Sequence, residues 1–436
     1  MIEGILIGLS TALSLTNILM VMVGCFAGTI IGMLPGLGPM TAIALMIPIT
    51  YGFDPSTGLI LMAGVYYGAV FGGSTSSILL NAPGIPGTVA TAFDGYPMAQ
   101  QGKAGKALAI AAYSSFAGGT ISAIFLLVAA PSLSKVSLAF RSPDYFALMI
   151  LGLTAISAFS SKGQFLKAMM MVVLGLMLAT VGQDSLSDIT RFTFNNMNLT
   201  DGISFVLIVM ATFAMSEALT IIFRGKDPNR AAKQISLTEL GSIKVNKEET
   251  IKMAKTIPRS SILGFLIGVL PGAGATIASF LAYGMERNYV NEEEKQKFGK
   301  GSVHGLSAPE TANNAACSGS FVPLLTLGIP GSGTTAVMLG ALLGFGIQPG
   351  PRLYQTNPEI FWSVIMSMYI GMVVLLILNL PLIPYIARIL AVPRNYLIPL
   401  ILFFSVTGIY LMSFNNFDIF LMIGIAVVAT FLRLYD

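Results

Sequence analysis

The stretch GMLPGLGPMTAIAL, residues 32–45, returns as GVLPGAGATIASFL at 268–281, with seven of fourteen positions identical. Both copies interrupt apolar runs where a helix would be expected to continue. Proline removes an amide donor and clashes with the preceding turn, and glycine weakens the helix through backbone entropy. Hydrocarbon offers no water to the groups so freed. Such a break is tolerated only where the exposed backbone faces protein or lines a cavity.

The surrounding chain makes the bilayer the relevant solvent. Of 436 residues, 54% are hydrophobic and only 10% charged, against about 25% charged in soluble domains. The fold class this implies is an all-α polytopic membrane protein. The net charge of +4 says nothing about nucleic acid; the basic residues serve instead as topology markers. Cys25 and Cys317 lie in apolar or small-residue stretches and read as packing residues. The opening MIEG puts a carboxylate where a signal peptide carries Lys or Arg, so the first apolar segment is expected to be retained.

Apolar runs able to cross or half-cross a bilayer fall near 17–34, 40–50, 57–80, 106–130, 143–160, 164–182 and 203–223. They resume near 260–284, 310–327, 334–346, 361–387, 395–412 and 416–432. With the short runs read as re-entrant hairpins, about 10–12 membrane segments are expected. The polar interruption from Arg224 to Arg259 holds nine basic residues against four acidic ones, which places it in the cytoplasm. Lys103, Lys106, Lys162 and Lys167 then also fall inside, whereas Lys135 and Arg141 fall outside against the trend.

A second motif repeats in the same order. GIPGTVATA at 84–92 recurs as GIPGSGTTA at 328–336, identical at six of nine positions. Aligned on GIPG, Ser74 matches Ser318 and Ser76 matches Ser320. The loop after the first GIPG carries Lys103 and Lys106, while the loop at 346–360 carries only Arg352 and Glu359. Equivalent points on opposite sides imply two inverted-topology repeats with discontinuous helices, a common construction in secondary transporters. The expected division is a first repeat at 1–224, a basic cytoplasmic linker at 225–259, and a second repeat at 260–436. The second repeat stops about one span short of the first.

These motifs also hold the candidate binding groups. In discontinuous helices the positive N-terminal ends of half-helices face anionic substrates, and unwound carbonyls can hold a cation. Gly36, Gly38 and Thr41 in one copy, with Gly272, Gly274 and Thr276 in the other, are therefore assigned to substrate. Pro35 and Gly36, with Pro271 and Gly272, are assigned to a coupling ion. The polar runs before GIPG add Ser74, Ser76 and Asn81, and Asn313, Asn314, Ser318 and Ser320, whose hydroxyls and amides can bind a carboxylate without a fixed charge. Glu310 is the candidate intramembrane acid, with Thr334 and Thr335 beside the second GIPG as further ion ligands. Each feature has a plainer alternative: small-residue packing for the glycines, interhelical hydrogen bonds for the polar runs, and a helix cap for Glu310. Glu217 reads as a carboxylate at a cytoplasmic helix end, Asp54 and Asp94 as turn residues, and His304 as exposed. No HExxH, Walker or GxSxG signature occurs, so an enzyme is not expected. Sodium is the only metal expected, and no cofactor is implied.

LPGLGPMTAIAL, LPGAGATIASFLAYGMER, APETANNAACSGSFVPLLTLGIPGSGTTAVMLGALLGFGIQPGP and the paired GIPG resemble the large membrane subunit of the tripartite tricarboxylate transporter family, the TctA family. The similarity runs from about residue 25 to the end. The resemblance implies a bacterial inner-membrane importer coupled to protons or sodium and taking organic di- or tricarboxylates. It implies a TctB-like small membrane subunit and a TctC-like periplasmic solute-binding protein as partners. A homodimer of the large subunit in the lipid bilayer is a further expectation, drawn from the long apolar spans. The alternatives are a facilitative anion channel and a stand-alone carboxylate carrier.

Overall fold

The structure is a computed structural model. It describes residues 2–34, 37–81, 83–137, 143–144, 146–147, 150, 165–184, 189–204, 207–208, 210–224, 241–271, 274–386 and 394–435. The described residues are helical throughout, apart from loops and a two-stranded antiparallel ribbon pairing Gly182–Gln183 with Thr190–Arg191. The helices used below are α1 (Ile2–Ala12), α2 (Leu15–Met33), α3 (Gly38–Thr50), α4 (Pro55–Leu80), α5 (Val89–Met98), α6 (Ala104–Ser137) and α7 (Phe165–Ala179). After α8 (Ser216–Arg224) come α9 (Lys247–Val269), α10 (Gly274–Tyr289), α11 (Val303–Gly319), α12 (Phe321–Leu327), α13 (Gly333–Gly344), α14 (Pro358–Asn379), α15 (Arg394–Ser413) and α16 (Asn416–Leu434). Among the described residues, α2, α4, the helical stretch Pro86–Ser132, α14 and α16 are long and apolar enough to cross a membrane. The run expected at 143–160 lies almost wholly outside the described residues, as does 225–240 in the basic stretch.

Helix α4 forms the centre of the first half. Asp54 caps it by accepting from the Thr57 amide at 3.0 Å, with Pro55 preset for the first turn; the side chain read as a turn residue is thus an N-cap. The helix is apolar on all sides and its whole hydrophobic window is buried, as expected for a helix enclosed by others. It packs most extensively against α2, and the sequence explains the closeness. Gly24, Gly28 and Gly32 form one stripe of α2, and a Cβ at Gly28 or Gly32 would lie 2.2 Å from the Val65 carbonyl oxygen or 2.1 Å from that of Ala69. The contact is reciprocal: Gly68 and Gly72 of α4 face the Cys25 and Thr29 carbonyls.

Helix α11 holds the corresponding place in the second half, packed by α9, α6 and α10. Gly264 and Gly268 of α9 approach Ala312 and Ala316, and an added Cβ would lie 2.4 and 2.3 Å from their carbonyl oxygens. From α6, Gly118 approaches the Thr311 carbonyl, leaving a Cβ only 2.3 Å. Helix α9 begins within the basic stretch, where Asn246 and Glu249 form a capping box. Helix α1, too short to register as a span, lies on α14 with Gly4 and Gly8 against Trp362.

The breaks in the two halves share backbone geometry. Leu34 (φ −83, ψ 110) and Leu270 (φ −77, ψ 122) leave the helix in extended conformation. Gly38 and Gly274 both open the next helix at φ +62, a region glycine enters without strain. At the second break, α4 ends on Asn81 at φ +51 and α12 on Gly328 at φ +70. This corrects the register drawn on GIPG. The equivalents by conformation are NAPG at 81–84 and GIPG at 328–331, three residues out of step with the sequence match. Gly84 and Gly331 then coincide, lying against the Gly32 and Gly268 carbonyl oxygens. The cause is that asparagine also tolerates the left-handed cap, so the first copy ends its helix one turn before its own GIPG.

The close seams are testable. Gly28→Leu and Gly264→Leu should each cost about 3 kcal/mol or more, because the obstacle is backbone that cannot move aside. Gly284→Ala, which meets no atom within 4 Å, should be neutral or raise the melting temperature. Thermal unfolding of detergent-purified protein, followed by size-exclusion fluorescence, checks all three.

Candidate functional site

All four breaks meet in one region. Helix α10 packs on the turn Pro86–Thr88, which takes in the end of the first GIPG, and α13, which follows the second GIPG, packs on α3. A Cβ at Gly87 would lie 3.3 Å from Ala275, one at Gly333 2.8 Å from Met40, and one at Gly274 4.0 Å from Ser332. Each LPG break therefore adjoins its own half's GIPG-type break and the one from the other half. The N-terminal ends of α3, α5, α10 and α13 gather there, and unpaired helix-start amides favour anions. The start of α13 is partly satisfied already, because Ser332 and Thr335 form a capping box. Tyr66 of α4 also reaches Ser332, with Oη 3.2 Å from Oγ.

Behind this region lies Glu310, fully buried on α11. Ser74 of α4 donates to its Oε2 at 2.7 Å and Ser115 of α6 to the same oxygen at 2.8 Å. Thr91 of α5 donates to Oε1. Three helices thus converge on the carboxyl group of a fourth. Among the described residues no basic side chain is ion-paired with it. A lone buried carboxylate is costly without a counter-charge, so such a group binds a cation or takes a proton. Glu310 stands eight residues into its helix and does not cap it.

The other expected residues are distributed as follows. Thr41 is buried and Thr276 half-buried, each in the first turn after its break. Pro271 lies in the turn before α10, and Pro35, Gly36 and Gly272 lie outside the described residues. The Asn313 amide donates to the Gly87 carbonyl at 3.4 Å, tying α11 to the first GIPG. Asn314 donates to the Glu310 carbonyl (3.0 Å) and to Asn313 Oδ1 (2.6 Å), and its own Oδ1 has no partner among the described residues. Ser76 donates to the Gly73 carbonyl within its helix at 3.1 Å and lies against Gly84. Asn81 is exposed. Ser318 donates to Gly119 across to α6 at 3.4 Å, and Ser320 to Cys317 in its own helix at 2.7 Å. Ser74 and Ser318, paired by sequence, thus meet different partners, as the three-residue shift requires. Thr334 is buried beside Thr335. The side chain of Glu217 lies outside what the structure describes.

Two readings are corrected. Asp94 is not a turn residue: it is buried on α5, where its Oδ1 accepts the amides of Gly301 (2.9 Å) and Ser302 (2.7 Å) at the start of α11. His304 is not exposed: its Nδ1 lies 2.7 Å from Thr256 Oγ1 and 3.2 Å from Glu286 Oε1. Arg259 also binds Glu286, at 2.7 and 3.2 Å, so α9, α10 and α11 are joined at the end of α10 remote from its break. Thr91 and Ser115 were missed as partners of Glu310. The available signals were the position of Thr91 inside the repeated GIPGTVATA and the Ser114–Ser115 pair in an otherwise apolar run. Among the described residues no three His, Cys, Asp or Glu side chains are grouped to hold a metal. The Glu310 carboxyl group with the Ser74, Thr91 and Ser115 hydroxyls on it forms an all-oxygen set, the chemistry that suits a hard cation such as sodium.

Residues 18–436 match the tripartite tricarboxylate transporter TctA family. An uncharacterized 52.8 kDa protein of the TAR-I ttuC' 3' region in Agrobacterium vitis is 43% identical over 423 residues, covering 97% of this chain and 83% of that protein. An uncharacterized protein of the TAR-II ttuC' 3' region of the same organism is 44% identical over 160 residues, 37% of this chain and 65% of that protein. No solved structure matches. A membrane-spanning helical chain with this near-complete match belongs to the tripartite tricarboxylate transporter TctA family.

Proposed function

We propose that the chain is the large membrane subunit of an ion-coupled importer, carrying organic di- and tricarboxylates across the bacterial inner membrane. It works with a TctB-like small subunit and takes substrate from a TctC-like periplasmic binding protein. The observation that carries this reading is the meeting of four helix breaks beside a buried acid that has no basic partner among the described residues. Helix-start amides, with Thr41, Thr276 and Asn313, hold the substrate carboxylates, an arrangement that binds anions without a fixed positive charge in the bilayer. The two halves act as inverted repeats, and the matched φ values at Gly38 and Gly274 and at Asn81 and Gly328 support that symmetry.

Glu310 is the coupling group in this reading. Its two oxygens already accept three hydroxyl donors, and a proton takes the remaining place on a carboxyl group with about four acceptor sites. Protonation removes the buried charge, and the loading of substrate changes the field that holds the proton. The second reading is sodium coupling, favoured by the all-oxygen surroundings.

Glu310→Gln should abolish gradient-driven accumulation by reconstituted large and small subunits while substrate exchange persists. The loss should be about tenfold or more, since the charge change of the coupling site is removed. Imposing pH and sodium gradients separately decides the ion: stimulation by an inward proton gradient alone supports the first reading, and by sodium alone the second. Gradient-independent flux of native protein at channel rates would contradict both. Asn313→Ala should lower uptake about tenfold, the scale of one lost hydrogen bond to a charged group, without loss of membrane expression. Uptake at the native level would remove Asn313 from the site.

A further inference from the structure

Between α4, α6 and the end of α14 lies a small cavity on the far side of Glu310's hydroxyl partners. Ser74, Thr75, Ala111, Ala112, Ser115 and Asn379 are among the residues that line it. It leaves about 10 Å³ for the centre of a water-sized molecule, roughly the space one ordered water requires. Two polar features line it. Ser74 and Ser115 are the hydroxyls bonded to Glu310 Oε2. Asn379, only 4% exposed, donates its amide N–H to the Leu375 carbonyl at 3.0 Å, but its Oδ1 has no partner among the described residues. An unpaired buried carbonyl carries a penalty of about 1–3 kcal/mol, which a water in this cavity would relieve.

The position of the cavity gives it a direction. Its α6 wall is Leu108, Ala111, Ala112 and Ser115, a single helix face at i, i+3, i+4 and i+7. That face rises from the helix start beside Lys103 and Lys106, the end that charge bias assigns to the cytoplasm. Ser115 stands roughly 16 Å along the axis from Ala104 at 1.5 Å per residue. The carboxyl group thus has two sides: Oε1 meets Thr91 on the helix after the first GIPG, while Oε2 meets Ser74 and Ser115, which line the cavity.

We propose that this cavity holds a water molecule and is the route by which Glu310 exchanges its proton with the cytoplasm, apart from the path of the substrate. The inference rests on Glu310 being the proton-coupling acid. In the transfer, the Glu310 O–H bond breaks as a serine oxygen takes that proton. The serine gives its own hydroxyl proton to the water, leaving a carboxylate and a hydronium that bulk water discharges. The groups facing Glu310 are Ser74 from α4, Thr91 from α5, Ser115 from α6, and Asn313 and Asn314 from its own helix. Asp94, three residues along α5 from Thr91, is engaged by the Gly301 and Ser302 amides.

The test is hydrogen–deuterium exchange of the Glu310 carboxyl, followed by infrared spectroscopy of the reconstituted protein, with Glu310→Gln identifying its C=O band. Ala111→Leu fills the cavity, and Asn379→Leu removes the unpaired oxygen with little change of size. Both should slow the deuterium shift of the band by about tenfold or more, because exchange must then wait for local opening of the packing. Backbone amide exchange should stay at the native rate. A native carboxyl exchange rate in either variant overturns the route, as does slowing shared by the amides at large. Absence of the band from the native protein between pH 5 and pH 8 would remove the proton reading itself, and this proposal with it.

Discussion

Small residues let backbone meet backbone along two seams, α2 with α4 and α9 with α11, and the helix breaks stand at the ends of that contact. Lipid tails supply no hydrophobic force between helices, so close van der Waals approach must do so. Gly28 and Gly32 lie on carbonyl groups of α4, and Gly264 and Gly268 on those of α11. The breaks begin within two residues of Gly32 and Gly268. The chain thus leaves the helix just past the close part of each seam, and Gly84 and Gly331 return the following break to the Gly32 and Gly268 carbonyls.

This packing also makes a buried acid tolerable. Gly118 brings α6 onto α11 at Thr311, beside Glu310, and so brings Ser115 within hydrogen-bond range. Hydroxyls can donate to a carboxylate and can also turn to accept from the protonated acid. A lysine or arginine in their place would hold the group permanently ionised. Hydroxyls from α4, α5 and α6 leave both states accessible, which a coupling group requires.

Much of this was legible in the sequence because its signals were strong and local. The alternation of apolar runs with charge revealed a helical membrane protein, and the doubled LPG and GIPG motifs located the breaks. Glu310 stood out as an acid opening the Asn313–Asn314 run within an expected membrane segment. What stayed hidden depended on tertiary contact. The three-residue shift at the second break was invisible, because GIPG matches GIPG better than NAPG does, while the backbone responds to the left-handed cap at Asn81. His304 looked exposed because its flanks are polar, yet Thr256 and Glu286 arrive from 48 and 18 residues away to cover it. Asp94 followed the same logic: its neighbour Gly95 suggested a turn, but the amides it accepts belong to the start of another helix. Helix α1 escaped notice because 11 residues are too few for a span.

The central claim is that the converging breaks form one site for a carboxylate anion. Substrate protection of single cysteines tests it most directly, with Thr41→Cys and Thr276→Cys each placed in a background carrying Cys25→Ala and Cys317→Ala. The account expects citrate or another di- or tricarboxylate of the transported set to slow maleimide labelling at both positions, while a monovalent inorganic anion at equal ionic strength does not. Labelling at both positions that no transported carboxylate alters would contradict it.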